Sequence, residues 1–280
     1  MSTSAGRRRY AHTADVVLLA VLLLGALLAY LVDFLSRGRS PFAPLALGLV
    51  LALIPPAVWL TFFYRRDRLE PEPLSLVATV FVASALVASG VAEPLIRLLP
   101  QDLTGFRALV ASITVIGVIR EFSKYLVVRL LPGSSGNINE RADGVVYGTT
   151  AGLGYATVLN LQFVITSGGT AIGPGFIWMS VVALAHAALG GMVGYLCARD
   201  LREQTPLWWL PAGLLVAASL DGIFFTVRSE VVDATNRPAT GAPGASHGSL
   251  LGILLAAVVA FVISWLLARA MAREEPRSSA

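Results

Sequence analysis

The chain has 280 residues, 56% of them apolar and 14% charged, with a formal net charge of +4 and a mean hydropathy of +0.73. That balance excludes an ordinary soluble domain and predicts an all-α, polytopic transmembrane helical bundle whose first partner is the lipid bilayer. The arginines are spread over loops and termini rather than gathered on one face, which argues against nucleic acid as a partner, and the single cysteine, Cys197, closes no intramolecular disulfide and reads as a small core residue.

Residues 1–13 read as a cytoplasmic N-terminal segment carrying Arg7, Arg8 and Arg9. The apolar run after them continues to about residue 35, longer than the roughly 7–15 residues of a signal-peptide core, so it reads as a retained anchor. Apolar stretches near the roughly 20 residues needed to cross the hydrocarbon fall at about 14–36, 43–64, 74–99, 106–131, 142–166, 175–198, 206–228 and 248–270. They predict eight spanning helices within a domain over 14–270, followed by a cytoplasmic tail at 271–280. The short alternating segments of a membrane barrel are absent from the sequence.

Basic residues set the orientation, because cytoplasmic loops carry the excess of Lys and Arg. With the N-terminus inside, thirteen arginines fall on the cytoplasmic side and six outside, while Arg120 and Lys124 lie within a span. This predicts an integral, multi-pass protein of the plasma membrane with both termini cytoplasmic.

Pro55-Pro56 should kink the second span by removing backbone donors. The connector after it, Asp67-Arg68-Leu69-Glu70-Pro71-Glu72-Pro73, reads by composition as a solvated charged loop. Glu93-Pro94 reads as the solvated end of the third span. Residues 229–247, rich in Gly, Ala, Pro and Thr, read as a mobile exterior loop. In the fifth span, Gly144, Gly148 and Gly152 recur every fourth residue, and Gly190, Gly191 and Gly194 crowd the sixth, a pattern that lets two helices approach closely.

Strongly polar side chains fall at membrane depth on four helices: Arg120, Glu121 and Lys124, then Asn160, His186 and Asp221. Each charge there costs roughly 2.5–3.5 kcal/mol on insertion scales, so each needs a partner or a wet cavity. Glu121 and Lys124, three apart, share a helix face, whereas Arg120 and Lys124, four apart, repel. The three together leave one positive charge in excess, and Asp221 is the expected counter-ion. A structural ion pair and a working site both account for such a cluster, just as a lone Asn or His commonly bonds a neighbouring helix.

As a site, the set holds the parts for hydrolysis. Glu121 is a candidate general base on water, His186 a proton donor or oxyanion contact, Asn160 a substrate contact and Asp221 an orienting carboxylate. No cofactor is required by these residues. A divalent metal such as zinc takes about three protein ligands, which Glu121, His186 and Asp221 supply, although Arg120 and Lys124 oppose a dication and no HExxH pair occurs.

These residues sit in ordered motifs that resemble the PrsW-type intramembrane proteases, relatives of the CAAX-processing membrane proteases. Glu70-Pro71-Glu72-Pro73 is similar to the family's cytoplasmic EPEP-type signature, and Asp143-Gly144-Val145-Val146-Tyr147-Gly148 to its DGxVYG motif, both carried as structural motif positions. His186 with Gly194-Tyr195, and Asp221, stand where later motifs fall. The family's EExxK reads here Arg120-Glu121-Phe122-Ser123-Lys124, its Glu-Asn pair reads Leu159-Asn160, and its HxxxD reads Ala217-x-x-x-Asp221. The resemblance implies a peptidase, glutamic or metal-dependent, that cleaves a membrane-anchored protein such as an anti-sigma-factor type regulator. The three substitutions, of which the first reverses the charge beside Glu121, leave as an alternative an inactive relative that binds single-pass membrane partners. A small-solute transporter also accommodates buried charges and kinked helices.

Overall fold

The computed structural model describes residues 43–66, 72–100, 102–167 and 172–236, with Val258 beyond them. Six helices and no strand occur among these residues: α1 Ala43–Arg66, α2 Leu74–Ile96, α3 over residues 105–133, α4 Arg141–Thr166, α5 Ile172–Arg202 and α6 Trp209–Asn236. The fold is a helical membrane bundle, as its composition predicts. Three helices are long and apolar enough to cross a membrane, at Leu74–Ile96, Trp178–Arg202 and Trp209–Arg228, while the apolar part of α1, Leu45–Thr61, is shorter. The expected spans at 14–36 and 248–270, the terminal segments and Glu70 lie outside the described residues.

The bundle is inside out relative to a soluble domain. Val82, Leu86 and Leu95 of α2 and Leu215, Leu220 and Ile223 of α6 are exposed, while Glu121, Lys124, His186 and Asp221 are completely buried. Apolar side chains face outward because lipid surrounds them, and polar ones turn inward because only protein can pair them.

Helices α4 and α5 form the most extensive interface, with α1 and α2 packed on α4 and with α3 and α6 packed on each other and on α5. Glycine makes the central pair. A Cβ at Gly148 would stand 2.1 Å from the Gly190 carbonyl oxygen, and one at Gly152 would stand 2.0 Å from that of His186. The helices therefore touch backbone to backbone along the whole stripe, as small residues every fourth position permit.

Two features of α4 come directly from its motif. Asp143 caps the helix, accepting hydrogen bonds from the backbone N–H of Glu140 at 2.6 Å and of Asn139 at 2.9 Å, and with Glu140 it completes a capping box. Tyr147 donates its hydroxyl proton to Glu72, which is buried. The connector glutamate is thus docked on α4 rather than solvated, because a buried phenol needs an acceptor and Glu72 is the acceptor the chain brings there.

Two further expectations are corrected. Glu93 is 6% exposed, not a solvated helix end. A π-helical winding at Ala88–Ala92 immediately precedes it. One extra residue per turn rotates the following side chains by about 100°, and here Glu93 faces the core. The exterior loop expected from residue 229 cannot begin there, since α6 continues to Asn236. The rest of that loop lies outside the described residues.

Candidate functional site

The site forms where α3, α5 and α6 meet, with α2 and α4 behind. Within α3, Lys124 Nζ donates to Glu121 Oε1 at 2.5 Å, the pair expected from their spacing, and also lies 3.2 Å from His186 Nδ1 on α5. If Lys124 donates to Nδ1, the neutral ring carries its proton on Nε2. Asp221 Oδ1 on α6 is 3.7 Å from His186 Nδ1, and Asp221 Oδ2 is 3.7 Å from Arg120 Nη1, so Asp221 does serve as Arg120's counter-ion. Glu121, Lys124, His186 and Asp221 have no exposed side-chain surface.

Arg120 turns the opposite way around α3 from its neighbour. Its Nε donates to Glu93 Oε1 at 3.3 Å, and the same oxygen accepts the Tyr155 hydroxyl proton at 2.7 Å. Tyr155 also packs its ring 5.4 Å from that of His186 and lies under the Lys124 ammonium at 5.9 Å. On the other side, Phe225 stacks on His186 at 5.1 Å, with the Arg120 guanidinium 5.4 Å above it. Glu93 and Tyr155 are the two members that the sequence reading did not place. Glu93 looks like the solvated end of its span, and for Tyr155 the available signal is that a tyrosine at membrane depth needs an acceptor nearby.

Asn160 is not part of this group. Its amide Nδ2 donates to the carbonyl oxygens of Ala52 and Met179, each at 3.3 Å, and it makes no bond to Glu121, His186 or Asp221. The reason lies in Pro56, which has no N–H for the carbonyl four residues earlier, that of Ala52. Asn160 supplies the missing donor. The expected substrate contact is a clamp that satisfies the kink in α1.

Several buried polar atoms in the site have no hydrogen-bond partner among the described residues: Glu121 Oε2, His186 Nε2 and both carboxylate oxygens of Asp221. One donor atom from each of Glu121, His186 and Asp221 lies within 4.8 Å of the others. Those are the donor types and the number that a catalytic divalent metal takes, with a position left over. The charges agree, since three buried carboxylates, Glu93, Glu121 and Asp221, face two cations, Arg120 and Lys124. The residues therefore fit a metal ion, and the Lys124 ammonium is its competitor for the Glu121 and His186 lone pairs.

Two cavities reach this cluster from the side away from the Tyr147–Glu72 bond. One of about 440 Å³ runs between α3 and α6, from Gly105 and Arg228 down to Asp221 and Arg120. The other, about 300 Å³, lies among Arg97, Gln162, Trp178 and Arg120. Arg120 and Phe225 line both, and Asp221 lines the larger one. The α3–α6 contact closes the floor of the larger cavity, because a Cβ at Gly117 would stand 2.1 Å from the Ala218 carbonyl oxygen.

Comparison with known proteins agrees with this geometry. A family profile described as PrsW family intramembrane metalloprotease matches residues 72–236, which include every member of the cluster. Protease PrsW of Bacillus subtilis (strain 168) is 24% identical over 174 residues, 61% of this chain and 78% of that protein. Protease PrsW of Geobacillus kaustophilus (strain HTA426) is 28% identical over 179 residues, 63% of this chain and 78% of that protein. The corresponding protein of Halalkalibacterium halodurans is 27% identical over 180 residues, 63% of this chain and 80% of that protein. No solved structure matches the chain.

Proposed function

This chain belongs to the PrsW family of intramembrane metalloproteases, and from that premise we propose that it hydrolyses a peptide bond of a membrane-anchored protein at Glu121, His186 and Asp221. The observation that carries the reading is the convergence of these three side chains within 4.8 Å, each with a buried atom that no group among the described residues satisfies. A substrate of the anti-sigma-factor type, in the plasma membrane with this chain's termini cytoplasmic, fits the orientation expected from the arginines.

Glu121 is the base. Its Oε1 is held by Lys124 at 2.5 Å while Oε2 is free to accept a proton from water, and the fixed carboxylate costs no reorganisation when it does so. His186 is held between the Tyr155 and Phe225 rings; the proton it gives from Nε2 to the leaving amine is replaced at Nδ1 by Lys124, which recovers the proton that Glu121 takes from water. Asp221, 3.7 Å from His186 Nδ1, supplies negative charge beside the ring. Arg120 neutralises Glu93 and Asp221 and closes the cavity wall. As an alternative to these acid and base roles, Glu121, His186 and Asp221 would instead hold the family's metal ion as ligands, which when bound polarises the scissile carbonyl and makes its water acidic near neutral pH.

One observation favours a second reading, a relative that binds single-pass partners without cutting them. Arg120 stands where the family's motif has a carboxylate, and its guanidinium reaches Asp221 at 3.7 Å. Reconstitution in proteoliposomes with candidate single-pass proteins separates the two. Cleavage that is lost in both Glu121→Gln and His186→Ala, and lost on treatment with a chelator, supports the peptidase. Partner binding that survives those changes with no cleavage in the native chain overturns it in favour of the second.

A further inference from the structure

The larger cavity holds a charge that the proposed chemistry does not use. Arg228, at the last turn of the Trp209–Arg228 span, is 8% exposed, and its Nε is buried with no hydrogen-bond partner among the described residues. One face of its guanidinium lies over the Trp178 ring at 5.3 Å. An aromatic face offsets part of the cost of removing a cation from water, but it accepts none of the in-plane N–H donors. A buried guanidinium with its Nε donor open is costly until an acceptor completes it, and an anion offsets most of that cost.

Its position says what the anion is attached to. Asp221, Phe225 and Arg228 are spaced four and three apart, so they form one stripe along α6, and all three line the cavity. Seven residues of helix separate Asp221 from Arg228 by about 10 Å. An extended peptide covers that distance in about three residues. Along the facing stripe of α3, Ser112, where a π-helical winding begins, lines the cavity, and a serine can bond a peptide backbone. At the Arg228 end, Thr104 on the α3 approach does the same.

We propose that this groove is the substrate subsite and that Arg228 selects a membrane-anchored protein with an Asp or Glu about three residues from the bond presented to Asp221. This rests on the peptidase reading for the word substrate, but the charge recognition itself needs only binding. A carboxylate pairs bidentately with a guanidinium, and Arg228 lines the cavity where such a group would enter. Arg120 at the other end is already paired with Glu93 and Asp221, so the acidic residue is read at Arg228 and the register of the peptide follows.

The test uses the full chain in nanodiscs of zwitterionic lipid. Its probes are three fluorescent single-pass peptides that share one apolar span and differ at one position, Asp, Asn or Lys, stepped through the residues near one end. Binding is measured in a Glu121→Gln background and cleavage in the native chain. At one register the Asp peptide binds roughly tenfold or more tightly than the Asn peptide. Arg228→Gln abolishes that ratio, Arg228→Lys retains part of it, and Arg228→Glu reverses it in favour of Lys. Equal binding of the Asp and Asn peptides at every register overturns the proposal. So does an Arg228→Gln variant that loses both peptides alike and melts at a lower temperature, which marks a structural arginine. Arg228-dependent binding of phosphatidylglycerol with no peptide preference also overturns it, as a lipid site. A charge preference without cleavage supports the subsite and removes the peptidase reading.

Discussion

Charge is concentrated in two places in this protein, and they obey different rules. At the end of the bundle where α3 and α5 finish and α4 begins, Arg129 pairs with Asp200 at 3.2 Å, Arg141 and Arg199 converge on Glu203, and Arg199 stacks on Trp209 at 4.4 Å. In the centre, Arg120, Lys124, Glu93, Glu121 and Asp221 form a set of similar size. The end cluster keeps 19–36% of its side-chain surface exposed, the central one 0–13%. Water can finish most of what the end cluster leaves unbonded, Trp209 Nε1 being a buried exception. In the centre no described protein group does, which supports the proposed reading of the open atoms of Glu121, His186 and Asp221 as a place for a ligand.

That contrast is broken most sharply at Glu121. Replacing it with Gln keeps the shape and removes the base, and peptide cleavage in proteoliposomes should fall by about 10²–10⁴-fold. A fall of less than tenfold means that another group takes the proton.

Lys124→Met tests how dependent the central cluster is on its own members. It strands Glu121 and His186 without their shared donor, and the free energy of unfolding in mixed micelles should drop by about 3–5 kcal/mol. If the variant is as stable as the native chain, water reaches the site and the burial argument fails.

A smaller loss is expected at the frame that holds His186 in place. In Gly152→Ala the new methyl meets the His186 carbonyl oxygen at 2.0 Å, so α4 and α5 must separate, at about 1–3 kcal/mol. Activity should fall further than stability alone explains, because the imidazole moves with its backbone. An unchanged melting temperature would show that the helix pair has slack.

The smallest effect belongs to the end cluster. Glu203→Gln should cost less than about 1 kcal/mol, and 1 M salt, with a Debye length of about 3 Å, should erase it. Partial burial pushes the Glu203 carboxyl up, but hydrogen bonds from Arg199 and Arg141 outweigh it and hold the group below the usual carboxylate range. A depressed pKa means that this contribution is present above the ordinary value near 4.5 and is lost as pH falls through the lower folded one. Melting curves between pH 7 and pH 3, native against Glu203→Gln, should converge only at the acid end. Convergence already near pH 6 would assign the effect to another group.

Much of the site was legible because membrane depth makes polar residues conspicuous. Glu121, His186 and Asp221 stand out in apolar runs, and the Glu121–Lys124 pair follows from a spacing of three. The Gly144-Gly148-Gly152 stripe announced its own close packing. Glu93 was not legible, because a Glu-Pro near a span end looks solvated unless the π-helical winding before it is known, and such windings leave no reliable trace in composition. Asn160 was legible only in part, as a residue that either bonds a neighbouring helix or contacts substrate. Its polarity was obvious, but the partner that explains it, the Ala52 carbonyl released by Pro56, lies 108 positions away in the chain.

The order of the residues alone determined that this chain is helical, that it lives in a bilayer and that its motifs are those of a PrsW-type protease, because each of these depends on local composition or on letters at fixed spacing. Which charges meet was decided only by the tertiary structure. Arg120 could have faced Glu121, Asp221 or lipid, and it turned to Glu93 and Asp221 because Tyr155, Phe225 and the glycine-welded α4–α5 pair left no other place for a guanidinium to be paired out of water.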